Sequence, residues 1–442
     1  MRLILFCSHI CSERCTGMIC LEAPYFNLNR ILLQSTALWP FQQSKLVQLQ
    51  FILISTVLMT AIICQITTFL TSNVTPKFAV KVLSSVLFLI SLMILYSSYR
   101  FNIKILKDLM GQLHCACTKL RDENEIAIIQ KYGRTAKYYT AAVLVIFFIA
   151  KSAFWTIQIV IPYLDDVTPI NGCRPHRLYI VAEYFIDQQK YYYVILLHMN
   201  AALFIGILTV ITTGTLMIAY LQHTCGMFRI AWYETGYRIE HAMEINVLKD
   251  ISKCKNLNSE FSISKKIVDA VNIHREAIKL SENLITRFDT MYFCLTLLAV
   301  ITMSLNLFQV SQTITFEDNI MEATVPSLNL LVLILYVFLA NLFGQNVIDH
   351  NNEVYTAAYR LISNILLLLF HLSNYRITTC RYSIRWYMCP LHVQKLILLL
   401  LQRKAKEFHL TCGGLFIASF ECLATLTKAT MSYFTLMHST RR

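Results

Sequence analysis

Residues 191–220, YYYVILLHMNAALFIGILTVITTGTLMIAY, contain no Asp, Glu, Lys or Arg. A helix so long and so apolar satisfies its own backbone donors and acceptors. That is the condition for crossing a hydrocarbon core of roughly 30 Å with roughly 20 residues. Outward from this stretch the same reading recurs at 47–70, 78–98 and 138–160 before it, and at 288–311, 327–349 and 412–437 after it. Each of these seven spans has at most two charged residues near its middle, whereas the run Leu366 to Phe370 is too short to cross. With 56 % hydrophobic and 15 % charged residues, and a mean hydropathy of +0.52, the chain has more apolar surface than a soluble core can hide. The class is all-α, an integral membrane seven-helix bundle.

The loops set its orientation. Lys and Arg number 4 before the first span (Arg2, Arg14, Arg30, Lys45), then 1, 8, 3, 10, 0 and 8 between spans, and 2 after the last (Arg441, Arg442). Alternate segments hold 30 and 6, with Lys81, Lys151 and Lys428 inside spans. Basic residues resist translocation, so the rich side is cytoplasmic, the N-terminus lies inside and the C-terminus outside. This is the reverse of a G-protein-coupled receptor. The net charge of +13 sits in juxtamembrane loops and suits anionic lipid headgroups rather than nucleic acid.

Four segments follow. Residues 1–46 form a cytoplasmic N-terminal segment, and 47–349 hold spans one to six. Residues 350–411 form a further cytoplasmic segment, and 412–442 hold span seven with a short outer tail. Ile263, Ile267, Val271, Ile273, Ile278 and Leu284 recur at spacings near three and four, as do Ile103, Leu106, Leu109 and Leu113. Amphipathic helices therefore extend spans three to five past the bilayer. Of 15 cysteines, only Cys173 falls in an outer loop, and Cys7, Cys11, Cys15 and Cys20 would stand in cytosol. Neither a disulfide framework nor a metal site is expected, because no His stands at zinc-finger distance. Asn73-Val74-Thr75 is a glycosylation sequon in a loop the charges place outside. Leu3 to Phe6 is too short for the apolar core of a cleaved signal.

Certain strings carry a resemblance. Lys428-Ala429-Thr430-Met431-Ser432-Tyr433-Phe434-Thr435-Leu436-Met437 resembles the C-terminal signature of insect odorant receptors, whose last helix holds a Ser-Tyr-Phe core. Three more strings resemble the same family, particularly receptors of ants, bees and wasps. They are Tyr25-Phe26-Asn27-Leu28-Asn29-Arg30 with Leu38-Trp39-Pro40; Glu183-Tyr184-Phe185-Ile186-Asp187-Gln188-Gln189-Lys190-Tyr191; and Phe343-Gly344-Gln345 with Tyr355-Thr356-Ala357-Ala358-Tyr359. Together, in order, they stretch across nearly the whole length of the chain. The related gustatory receptors end in Thr-Tyr with a Gln six residues later, whereas this chain has Ser432-Tyr433 and Ser439.

The resemblance implies an odorant-gated, non-selective cation channel subunit. It would pair with a shared co-receptor in a heteromeric, tetrameric channel in the plasma membrane of olfactory neuron dendrites, bind a small volatile ligand and need no cofactor. A gustatory-type channel of the same superfamily and a polytopic transporter are the alternatives, although no internal repeat supports a transporter. Two departures stand out. About 25 residues, 361–385, separate Tyr359 from Trp386-Tyr387, a distance the family usually closes within a few residues. They read as a retained intron in the gene model or as a real cytoplasmic insertion. Residues 1–17 match nothing in the family, so Met18 is an alternative start.

Within span seven, Glu421, Thr425, Lys428, Ser432 and Thr435 step by four, three, four and three and form one polar stripe, a candidate pore lining. An internal Glu421–Lys428 pair is the competing reading. The resemblance adds Met431 and places it, with Thr435, near the pore constriction. An apolar ligand calls for an aromatic and aliphatic cavity. In the family that cavity lies in the outer half of the bundle among spans two, three, four and six. Phe88, Leu92, Phe154, Trp155, Ile159, Met199, Leu203 and Tyr336 are the candidates. Core packing is the alternative for each. Lys151, with Trp155 one turn on, is either cavity lining or a snorkelling side chain, and His198 reads as a hydrogen-bonded core residue. No phosphate loop, His-Glu-x-x-His or nucleophile elbow is present, so no enzyme is expected.

Overall fold

The computed structural model describes residues 25–42, 44–120, 122–160, 180–233, 257–316, 320–374 and 408–440. Among these the chain is a helical bundle. Its elements are α1 (Asn27–Ser35), α2 (Lys45–Ile66), a single turn α3 (Thr68–Thr71), α4 (Pro76–Phe101), α5 (Ile103–Thr118), α6 (Glu123–Trp155), α7 (Tyr192–Trp232), α8 (Leu257–Phe316), α9 (Thr324–Asn374) and α10 (Phe420–Ser439). A π-helical turn, Thr156–Val160, follows α6, and a hairpin of β1 (Thr411–Cys412) and β2 (Phe416–Ile417) precedes α10.

Short polar side chains start several of these helices. Ser44 Oγ accepts from Val47 N at 3.3 Å ahead of α2. Thr75 Oγ1 accepts from Phe78 N at 3.2 Å ahead of α4, whose first residue, Pro76, has no N–H to lose. Asp122 caps α6 through Asn124 N at 2.8 Å, with Glu123 and Glu125 in a first turn that favours negative charge.

Among the described residues, six segments are long and apolar enough to cross a membrane: Lys45–Thr71, Pro76–Phe101, Glu123–Gln158, Tyr192–Trp232, Val268–Thr315 and Thr324–Ala357. The chain is a multi-pass membrane protein. The 191–220 run is thus the core of a 41-residue helix, and α8 reaches 60 residues with one break at Phe288 (φ −117°, ψ 15°). The expected amphipathic extensions are present. Leu106, Leu109 and Leu113 are buried on α5, and Val271, Ile278 and Leu284 on α8, while Ile263 and Ile267 lie on a part of α8 whose side chains are not described.

The far end of the chain corrects one expectation. Residue 412, taken as the start of span seven, lies in a β-strand, and the helix begins at Phe420. Gly413 and Gly414 take φ of +62° and +66°, a left-handed turn that ordinary side chains resist. Gly413 N donates to Asp289 Oδ1 at 2.6 Å, one residue past the break in α8. Ser419 N donates to Asn341 Oδ1 of α9 at 3.1 Å, and Ser419 Oγ caps α10 through Cys422 N at 3.3 Å. The hairpin is therefore clamped to α8 and α9 before α10 starts. The segment 361–385 divides: 361–374 continue α9 as helix, and 375–385 lie outside the described residues, as do 1–17, Cys7, Cys11, Cys15, Cys20 and Cys173.

Candidate functional site

Where α4, α6, α7, α8 and α9 diverge, the bundle holds a cavity of about 400 Å³. Its wall is almost wholly aliphatic and aromatic, with Phe147, Ile211, Leu295 and Tyr336 typical of it. The hairpin and the first turns of α10 complete the wall through Cys412, Phe416, Ala418, Cys422 and Leu426. Volume and lining suit a small apolar ligand.

Of the eight residues picked from the sequence as ligand contacts, Tyr336 lines this cavity. Phe88, Leu92, Phe154, Met199 and Leu203 are buried in the core beside it. Trp155 is 45 % exposed on the outside of α6, and Ile159 lies in the π-turn with its side chain outside the described set. The sequence reading missed the contribution of α8 and of the hairpin. Their part depends on the break at Phe288 and the Gly413–Gly414 turn, which alone gave a local signal.

Two polar groupings meet the cavity. Tyr99 and Tyr292 share a hydrogen bond of 2.8 Å between hydroxyls, and Tyr99 stacks on Phe288 with ring centroids 4.7 Å apart. Lys151, 9 % exposed, neither snorkels nor stands alone. Its Nζ donates to Asn200 Oδ1 at 3.1 Å, and it lies 5.1 Å from the Phe154 ring centroid and 6.0 Å from that of Trp155. Asn200 Nδ2 in turn donates to Gln158 Oε1 at 3.0 Å.

At the end of the bundle where α7 begins, His198 is hydrogen-bonded as expected, to Thr60 Oγ1 at 3.0 Å and Tyr184 Oη at 2.6 Å. Burial pushes the Tyr184 phenol well above its usual range. Glu183 N donates to Cys64 O at 2.7 Å, so the Glu183–Tyr191 string fastens α2 to α7. Lys81 Nζ, inside α4, pairs with Glu322 Oε2 at 2.9 Å.

On α10, Glu421, Thr425, Lys428, Met431, Ser432 and Thr435 are all exposed in the single chain. The buried residues Leu426 and Thr430 face the bundle, and Ser304 Oγ of α8 donates to Thr430 O at 3.2 Å. No ion pair joins Glu421 to Lys428 among the described residues. The polar stripe is thus turned away from its own subunit. Among the described residues no three His, Cys, Asp or Glu side chains gather as a metal site would require.

The sequence pattern of the family described as 7tm Odorant receptor matches residues 75–361, more than half of the chain. The match ends where the 361–385 segment begins. The fold is similar to that of the insect olfactory receptor OR5 from Machilis hrabei in complex with eugenol, with a TM-score of 0.69 over 96 % of this chain and 99 % of that one, at 14 % identity. A second structure of OR5 from Machilis hrabei gives a TM-score of 0.67 over 95 % and 99 %, again at 14 % identity. No curated protein matches in sequence.

Proposed function

Taking as premise that the chain belongs to the 7tm odorant receptor family, we propose that it is the ligand-recognising subunit of an odorant-gated, non-selective cation channel. It is a receptor and not an enzyme. The observation that carries the channel reading is a shared wall: the cavity is bounded by the hairpin and by Cys422 and Leu426 of α10, while another face of α10 exposes Glu421, Lys428 and Ser432. A ligand filling the cavity therefore presses on the same short segment that carries the pore stripe. It shifts the closed–open equilibrium only as far as it prefers the open arrangement. The exposed stripe calls for further subunits around it. We assign those to a co-receptor in a heteromeric, tetrameric assembly in the dendritic plasma membrane of olfactory neurons.

Co-expression with an odorant co-receptor is expected to give ligand-evoked cation current in voltage clamp, and this chain alone is expected to give none. Silence to a broad volatile panel, with surface delivery confirmed, would remove the channel reading.

The orientation belongs to the same proposal. Thirty basic residues against six put the N-terminus in the cytoplasm and α10's far end outside. Asn73, exposed between α3 and α4, would then face the outer side. A glycosidase that lowers the apparent mass of the wild-type chain, and leaves Asn73→Gln unchanged, supports this placement. Glycan attached instead at an asparagine introduced between α9 and the hairpin would invert it.

A further inference from the structure

The cavity wall is mostly apolar, and around Lys151 the hydrogen-bond polarity runs one way. An ammonium only donates, so the Asn200 carboxamide must turn Oδ1 toward it, at 3.1 Å. That leaves Asn200 Nδ2 to donate to Gln158 Oε1 at 3.0 Å and to Leu196 O at 2.9 Å. The chain of bonds then ends on Gln158 Nε2, a buried donor with no partner among the described residues. Gln158 is 1 % exposed. Among the described residues Lys151 is the only charged one on the cavity wall, and no carboxylate pairs with it. The Lys151 end of this network offers unused ammonium donors to the cavity, and among the described residues no further acceptor meets them.

We propose that Lys151 is the polar anchor of the cavity and that its ligand is an amphiphile with a carboxylate head and an apolar tail. The inference rests on the receptor reading above and narrows its ligand class. A carboxylate accepts through both oxygens and carries the charge that a cation held in a low-dielectric bundle lacks. Charge-assisted bonds of this kind are about twice as strong as neutral ones. The tail would run along Ile146, Phe147, Ile207 and Ile211, which line the same wall. Asn200 and the Phe154 ring hold the ammonium in place. If that were their whole purpose, Lys151 would matter equally to every ligand.

The test uses matched probes of about ten carbons, decanoate, methyl decanoate and decanol, a size that suits a pocket of this volume. Binding to the purified full chain is read from tryptophan fluorescence, with Trp155→Phe as the control for the local signal. Current is read separately from the co-expressed channel. The wild type is expected to bind decanoate at least about tenfold more tightly than the ester. Lys151→Met should lose about tenfold or more for the acid and less than about threefold for the ester, and Lys151→Arg should retain the acid preference. Gln158→Met, which keeps the lysine, should weaken the acid by a smaller factor. Equal losses for acid and ester in Lys151→Met, or a wild-type preference for the ester, would overturn the proposal. Charge-dependent binding of decanoate without current would leave this anchor standing and sink the channel reading. Current to neutral volatiles with no acid preference would do the reverse.

Discussion

Gly344→Ala is expected to abolish ligand-evoked current and to lower the melting temperature of the purified chain by several degrees. A Cβ at Gly344 would run into Ala418, meeting not only its methyl but its backbone carbonyl carbon and oxygen. Backbone cannot rotate away as a long side chain can, so α9 and the hairpin must part. Overpacking of this kind costs about 1–3 kcal/mol. The displacement falls one residue before Ser419, which caps α10 and bonds to Asn341 Oδ1 at 3.1 Å. Gating should suffer more than stability, because the hairpin is where cavity and last helix meet. Ala418→Gly in the same chain is expected to restore part of both. Normal melting and normal current in Gly344→Ala would show that the contact is slack and that the hairpin does not transmit ligand binding.

Lys428→Glu is expected to raise cation current several-fold and to increase the preference for cations over anions, with Lys428→Gln between it and the wild type. Lys428 is exposed near the middle of α10. If its face lines the conduction path, each subunit of this kind sets a positive charge beside passing cations. Two unit charges about 6 Å apart interact by roughly 0.7–3 kcal/mol for effective dielectric constants between about 80 and 20. Reversing the sign doubles that change, enough for several-fold to beyond tenfold in permeation. Reversal potentials in mixed salts, measured with the co-receptor present, decide the matter. Unchanged selectivity and conductance with normal surface delivery would put Lys428 against lipid or a partner subunit.

The bundle was largely legible because apolarity over a helix length is a one-dimensional property. The charge-free run 191–220 needed no neighbour to be read, and the period of Leu106, Leu109 and Leu113 named the buried face of α5. Three of the four strings that carried the family resemblance prove to be fasteners, while most of Lys428–Met437 is turned away from the bundle. Phe343 packs edge-on against Tyr139 at 5.2 Å, Tyr355 against His274 at 5.2 Å, and Arg30 lies 5.6 Å from the Trp39 ring centroid. The cavity was not legible in the same way. Its position depends on how five helices diverge, on the break at Phe288 and on a two-glycine turn that was read as the start of a helix. Among the proposed contacts whose side chains are described, only Tyr336 reaches the cavity wall. Lys151 could be picked out as an oddity, but Asn200 could not be named as its partner, since 49 positions separate the two in sequence.

The character of α10 also bears on how the protein is made. It is not among the six segments apolar enough to cross a membrane by length and composition alone, and a lysine near the centre of a spanning helix costs about 3 kcal/mol on insertion scales. Its own subunit buries only Leu426 and Thr430 of it. Entry of this helix into the bilayer therefore depends on the rest of the chain: the hairpin ahead of it is tied to Asp289 of α8 and Asn341 of α9, so those helices must already be in place to receive it. The last helix thus depends for its insertion on the helices made before it.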